Sequence, residues 1–187
     1  MANQLAVAYS GTFKGAAIFA AAPYDCALDN EYEAVYGCAE SIYPAYLSTD
    51  EADASAWAAD GLIDPISHLA AQRDWVYHGT DDTVAAGGLD QADVAFFQHF
   101  GASVQYDSST AAGHGWISPL APGECSVSQP PYMDDCGTDP EGEATAVINP
   151  LGCWDWWGYL GAGDAGYAKH GGVQITAIMN MVHALGG

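Results

Sequence analysis

Three strand-like segments alternate with stretches of helical spacing, and this order constrains the fold more than any other feature of the chain. The first, GAAIFAAA (Gly15–Ala22), is apolar without alternation, the pattern of a strand covered on both faces. DWVYHG (Asp74–Gly79) reads as a second buried strand and SVQYD (Ser103–Asp107) as a third. Leu5, Ala6 and Tyr9 mark the end of an amphipathic helix that stops at Gly11. Thr49 is the expected N-cap of a second helix, with Asp50 and Glu51 in its first turn before ASAWAADG. LDQADVAFFQHF (residues 89–100) carries a stripe of Leu89, Phe96, Phe97 and Phe100, ended by Gly101. A closing helix is predicted over GGVQITAIMNMVHAL, with Ile178, Met181, Val182 and Leu185 on one face. Residues 23–47 read as loop, and a long Pro-, Gly- and Trp-rich loop region is expected from about 110 to 165. Helix and strand in alternation predict an α/β fold with a mostly parallel sheet, in one domain over 1–187. Functional groups of such sheets gather in the loops at the carboxyl ends of the strands.

Charge then narrows the function. Twenty-four Asp and Glu stand against Lys14, Arg73 and Lys169, giving a formal net charge of −21. Phosphate neutralisation needs clustered Lys and Arg, so nucleic acid is not an expected partner, and neither is an anionic membrane surface. The acid excess reads as a solvated acidic surface or as adaptation to high salt, where screening relieves self-repulsion. No apolar run approaches the length of a membrane span, and MANQLAVAYSGTFKG lacks the basic and apolar regions of a signal peptide.

Five cysteines contain no CxxC pair, which argues against zinc or thioredoxin-like chemistry. Cys26 and Cys38 bracket one short segment and Cys125 and Cys136 another, so two local disulfides are expected, with Cys153 left unpaired.

Two predicted strand ends carry chemistry. DWVYHG leads into GTDDTV, placing Asp81 and Asp82 just past a strand, and SVQYDSSTAAGHGW places His114 past the next one. Successive parallel strands bring these loops together, so a carboxylate and an imidazole can meet. Acid then histidine is the order of the last two members of the α/β-hydrolase triad, in which the carboxylate fixes the imidazole tautomer and the imidazole takes a serine proton. Asp-rich turns after strands are also common for structural reasons. A metal site from His78, Asp81, Asp82 and His114 is the weaker reading, because no ligand spacing is recognisable.

At GTDDTV, GHGW and above all NPLGCWDWWGY (Asn149–Tyr159) the chain resembles the extracellular poly(3-hydroxybutyrate) depolymerases, serine esterases of α/β-hydrolase fold. The N-terminal MANQLAVAYSGTFKGAAIFAAAPYDCA is similar to that family's stretch after its nucleophile, and CSVSQPPYMDDC to its disulfide-bracketed loop after the catalytic histidine. The resemblance implies Asp82 as triad acid and His114 as base, with Asp81 at a variable position. It implies Trp154 lining the substrate crevice, with Trp116 as a second aromatic candidate for substrate contact. It further implies an apolar polyester or short hydroxyacid ester substrate, an extracellular location and no cofactor.

The family's Ser-Gly-Gly-Tyr-Met elbow would place its methionine at Met1, and no such elbow occurs in these residues. A segment ending in His-Gly-Cys, which helps form the family's oxyanion hole, is also not found, and its cysteine would be the partner of Cys153. The expectation is therefore a truncated homologue that holds acid and base without nucleophile and is, in these residues alone, inactive or feebly active by the triad route. The alternative is a non-catalytic polymer-binding module using Trp154, Trp156 and Trp157. Loss of the preceding strand would leave Gly15–Ala22 as an apolar sheet edge open to self-association.

Overall fold

The computed structural model describes residues 2–39, 46–85 and 87–148. The expected closing helix, Cys153 and the tryptophans at 154, 156 and 157 lie outside those residues. Helix α1 (Ala2–Ala8) leads into β1 (Ala17–Phe19), then α2 (Leu47–Ala59), β2 (Arg73–Tyr77), α3 (Gly87–His99) and β3 (Ser103–Asp107). The three strands form a parallel sheet in the order β1-β2-β3, with Val76 opposite Ile18 and Tyr106. The predicted α/β architecture is thus the observed one.

The sheet is covered on both faces, and β2 shows why its sequence has no polar alternation. Val76 faces one core with Ile18, Val7 of α1, Ala54 of α2 and Phe96 and Phe97 of α3. Trp75 and Tyr77 face a second core with Ala112, Ile117 and Ala144. Successive side chains of a strand point to opposite faces, so a doubly covered strand must be apolar on both.

Three details depart from the sequence reading. Strand β1 is three residues long instead of eight, because Ala20 adopts a left-handed φ of 46° and the chain turns away. Helix α2 starts at Leu47, ahead of the expected Thr49 cap: the Thr49 and Asp50 amides both donate to Tyr46 O, which puts Thr49 inside the first turn. The expected loop from 110 onward holds regular structure as far as it is described. Strands β4 (Trp116–Ile117), β5 (Gly123–Glu124) and β6 (Met133–Asp135) form a second parallel sheet, β4-β6-β5, and α4 (Pro140–Ile148) covers β2. Strands of two or three residues are too short for any periodicity to register. Helix α4 did carry a start signal, Asp139-Pro140, in which the Asp139 carboxylate caps the Gly142 N–H at 3.0 Å.

Both expected disulfides are formed, Cys26–Cys38 and Cys125–Cys136. Among the described residues β1 is an edge of the sheet, and no helix is long and apolar enough to cross a membrane.

The sheet also buries acids. Asp74 is fully buried on β2, where one oxygen accepts the Ala16 N–H at 2.8 Å. Burial pushes its carboxyl up to about 7, against the pull of that amide. A carboxyl raised in the folded state contributes stability that is fully present below its unfolded value of about 4 and is lost as pH rises through about 7. Asp74→Asn keeps an oxygen for Ala16 and removes the titration. The variant is expected to flatten the decline in stability between pH 4 and 7 by up to about 1.4 kcal/mol per pH unit. Urea denaturation across that range checks it, and an unchanged slope would show Asp74 ionised in the folded protein.

Candidate active site

The loops after β2 and β3 run side by side. The Thr80 N–H donates to Thr110 O at 2.9 Å and the Asp81 N–H to Ala112 O at 3.1 Å, extending the strand pairing past the sheet. Gly79 is needed there, because a Cβ on it would overlap the Ala112 carbonyl. The turn that follows places Asp82, whose side chain is fully buried. Its Oδ1 accepts the Val84 N–H at 2.8 Å and the Ala85 N–H at 2.9 Å.

His114 arrives from the other loop. Its backbone N–H donates to Ser128 Oγ at 2.8 Å, and the neighbouring Gly113 N–H to Cys125 O at 2.7 Å. The disulfide-closed segment thus fixes the histidine from behind. The imidazole and the Tyr132 ring stand nearly perpendicular, their centroids 5.9 Å apart. Asp82 Oδ2 lies 2.9 Å from His114 Nδ1.

Burial alone would raise the Asp82 carboxyl. The hydrogen bonds from His114 and from the Ala85 and Val84 amides outweigh it and hold the carboxyl below its ordinary value. An ionised carboxylate only accepts, so Nδ1 carries the proton. In the neutral ring Nε2 then presents a lone pair, and among the described residues the hydrogen bonds of His114 run from its backbone N–H and Nδ1. With 29% of its side chain exposed, His114 reaches solvent at a cavity of about 1010 Å³. Phe19, Ala20, Val84, Trp116 and Tyr132 line that cavity, with Asp25, Asp29 and Glu31 among its acids.

Of the sequence-predicted residues, Asp82 and His114 are brought together. Asp81 is exposed and its carboxylate has no part in the pairing. Trp116 is both core and cavity wall: it is buried, its ring lies 4.3 Å from that of Phe19 at a tilt of 40°, and it donates its indole N–H to Glu141 at 2.8 Å. Trp154 lies outside the described residues. His78 does not converge with Asp82 and His114 as a ligand set; its Nε2 lies 3.0 Å from Ala85 O instead, and among the described residues no cluster fits a metal ion. Ser10 is buried with its hydroxyl directed at Pro65 O. Phe19 and Tyr132 were not singled out from sequence, because only the fold brings residues so far apart in the chain to one cavity.

No protein-family profile matches the chain. It is 34% identical over 142 residues to a poly(3-hydroxybutyrate) depolymerase of Delftia acidovorans, covering 74% of this chain and 29% of that protein. It is 30% identical over 154 residues to a polyhydroxybutyrate depolymerase of Talaromyces funiculosus, covering 79% and 44% respectively. Among solved structures it is similar to a PHB depolymerase complexed with an R3HB trimer, with a TM-score of 0.70 at 29% identity over 81% of this chain and 48% of that one. A PHB depolymerase from Penicillium funiculosum gives a TM-score of 0.69 at 30% identity over 78% and 46%. The chain thus spans less than half the length of these relatives.

Gly79→Ala is expected to force the two loops apart. Overpacking of this kind costs about 1–3 kcal/mol, and here it should also abolish the low-field proton resonance of the Asp82–His114 hydrogen bond. A folded variant that retains the resonance would show that the Gly79–Ala112 approach does not set the site.

Proposed function

We propose, from the premise that this chain is a homologue of the poly(3-hydroxybutyrate) depolymerases over the part of their length that it spans, that Asp82 and His114 are the acid and base of an ester-hydrolysing site. The observation that carries the reading is the buried Asp82 carboxylate 2.9 Å from His114 Nδ1, with the part-exposed His114 on the cavity wall.

His114 Nε2 takes the proton of a serine hydroxyl as its oxygen bonds to the ester carbonyl carbon. The imidazolium formed is stabilised by Asp82 and returns the proton to the departing alcohol oxygen. A water molecule then attacks the acyl-enzyme as His114 takes its proton; the bond to the serine oxygen breaks, that oxygen recovers the proton from His114, and the carboxylic acid leaves. No serine is among the described residues that line the cavity, so on this reading the nucleophile belongs to sequence outside the described residues.

An apolar polyester suits the cavity. Phe19 and Tyr132, both part-exposed at the cavity, offer flat area of low conformational entropy to methyl and methylene groups. The two disulfides support an oxidising, extracellular setting.

The test scores binding to polyhydroxybutyrate granules beside ester hydrolysis, on the full-length protein in which the nucleophile is present. Asp82→Asn and His114→Ala are expected to lower hydrolysis by about 10³-fold or more while leaving granule binding intact. Granule binding by that unsubstituted protein with no turnover would favour the second reading, a non-catalytic polymer-binding protein. Hydrolysis that survives both substitutions would refute the assignment of acid and base.

The open edge of β1 carries a proposal of its own, that the chain pairs with itself there. Light scattering is expected to show association that grows with concentration. A monodisperse monomer with a cooperative melt contradicts it.

A further inference from the structure

We infer that His78 is a positioning residue which, backed by Asp90, holds the Asp82 loop in its hydrogen-bonding geometry and ties that loop to the cavity wall beyond β1. The inference rests on the reading of Asp82 and His114 as acid and base.

His78 is the residue directly after β2 and is buried. Its Nε2 stands 3.0 Å from the carbonyl oxygen of Ala85. A carbonyl oxygen only accepts, so Nε2 is the donor. The same Ala85 gives its amide N–H to Asp82 Oδ1 at 2.9 Å. One residue is therefore gripped at its carbonyl by His78 and grips the triad acid through its amide. Releasing the carbonyl frees the 82–85 turn to rotate, and with it the carboxylate that faces His114 Nδ1.

Asp90 stands behind His78. It is fully buried on α3, and its Oδ2 lies 3.9 Å from His78 Nε2, an electrostatic contact too long for a hydrogen bond. Its Oδ1 accepts the Ala21 N–H at 3.1 Å. Ala21 follows Ala20, whose left-handed φ of 46° is a strained conformation for a residue with a Cβ, and both line the cavity. The path from Ala21 through Asp90, His78 and Ala85 to Asp82 therefore joins one wall of the cavity to the acid.

The space around the imidazole is shaped for it. A Cβ on Gly87, at the start of α3, would come within 3.1 Å of His78 Cε1 and 3.3 Å of Nδ1. A side chain serving only to fill the core needs no donor at Nε2, and an apolar ring of equal size would do as well. That difference makes the role testable.

His78→Phe keeps the ring and removes the donor, whereas His78→Gln keeps a donor and removes the ring. Both are compared with the unsubstituted full-length protein, in which the nucleophile is present, by near-UV circular dichroism, by the low-field proton resonance of His114 Nδ1–H, and by kcat and KM on a soluble hydroxyacid ester. The expected result for His78→Phe is a folded protein with that resonance broadened or lost and kcat reduced tenfold or more at near-constant KM. His78→Gln is expected to restore the resonance and most of kcat. A folded His78→Phe with resonance and kcat unchanged would overturn the inference, and so would a folded His78→Gln that lacks the resonance. If His78→Phe does not fold, His78→Gln decides alone on its resonance. Absence of turnover in every form, with the resonance behaving as expected, would refute the esterase reading and leave the positioning role standing. Turnover indifferent to both changes would do the reverse.

Discussion

The arrangement of the candidate site depends on one constraint, the parallel pairing of β2 with β3 carried beyond the sheet. Trp75 opposite Gln105 and Tyr77 opposite Asp107 fix the register, and the amides of His78, Thr80 and Asp81 continue it onto the next loop. Only in that register does a buried carboxylate from one loop meet an imidazole from the other. The close approach at Gly79 and the grip of the disulfide-closed segment on Gly113 and His114 are the two local conditions that let it persist.

Much of this was legible in the chain. Unbroken apolar runs at β1 and β2 require cover on both faces, and that requirement alone implies helices on either side and a parallel sheet. Asp82 and His114 could be read because each follows a strand end, where an α/β fold exposes its loops. The second sheet was not legible, since strands as short as Trp116–Ile117 leave no period, and their pairing joins Trp116 to Met133 across a turn-rich segment. The end of β1 was not legible either. Nothing in an alanine run shows that Ala20 will adopt a positive φ, which depends on neighbours such as the Tyr77 carbonyl that binds its amide.

The structure also sharpens the meaning of the acidic composition. The formal charge counts every carboxyl as ionised, yet burial pushes Asp50, Asp74 and Asp90 up to about 7 and raises Asp93 well above its ordinary value. Asp82 is as buried at its side chain, but its three hydrogen-bond donors hold it ionised. Carboxyls of similar burial thus separate into two kinds by the donors around them, and that separation picks out the one fitted to orient an imidazole.

The central claim is that Asp82 fixes the His114 ring with Nδ1 protonated and Nε2 open to the cavity. The most direct test is nitrogen-15 NMR of the His114 ring in its neutral form, which reads the tautomer from the two ring-nitrogen shifts. The expected form is the Nδ1–H tautomer, converted to a mixture in Asp82→Asn. A neutral His114 protonated at Nε2 would contradict it, because that ring could accept no proton from a nucleophile at the cavity.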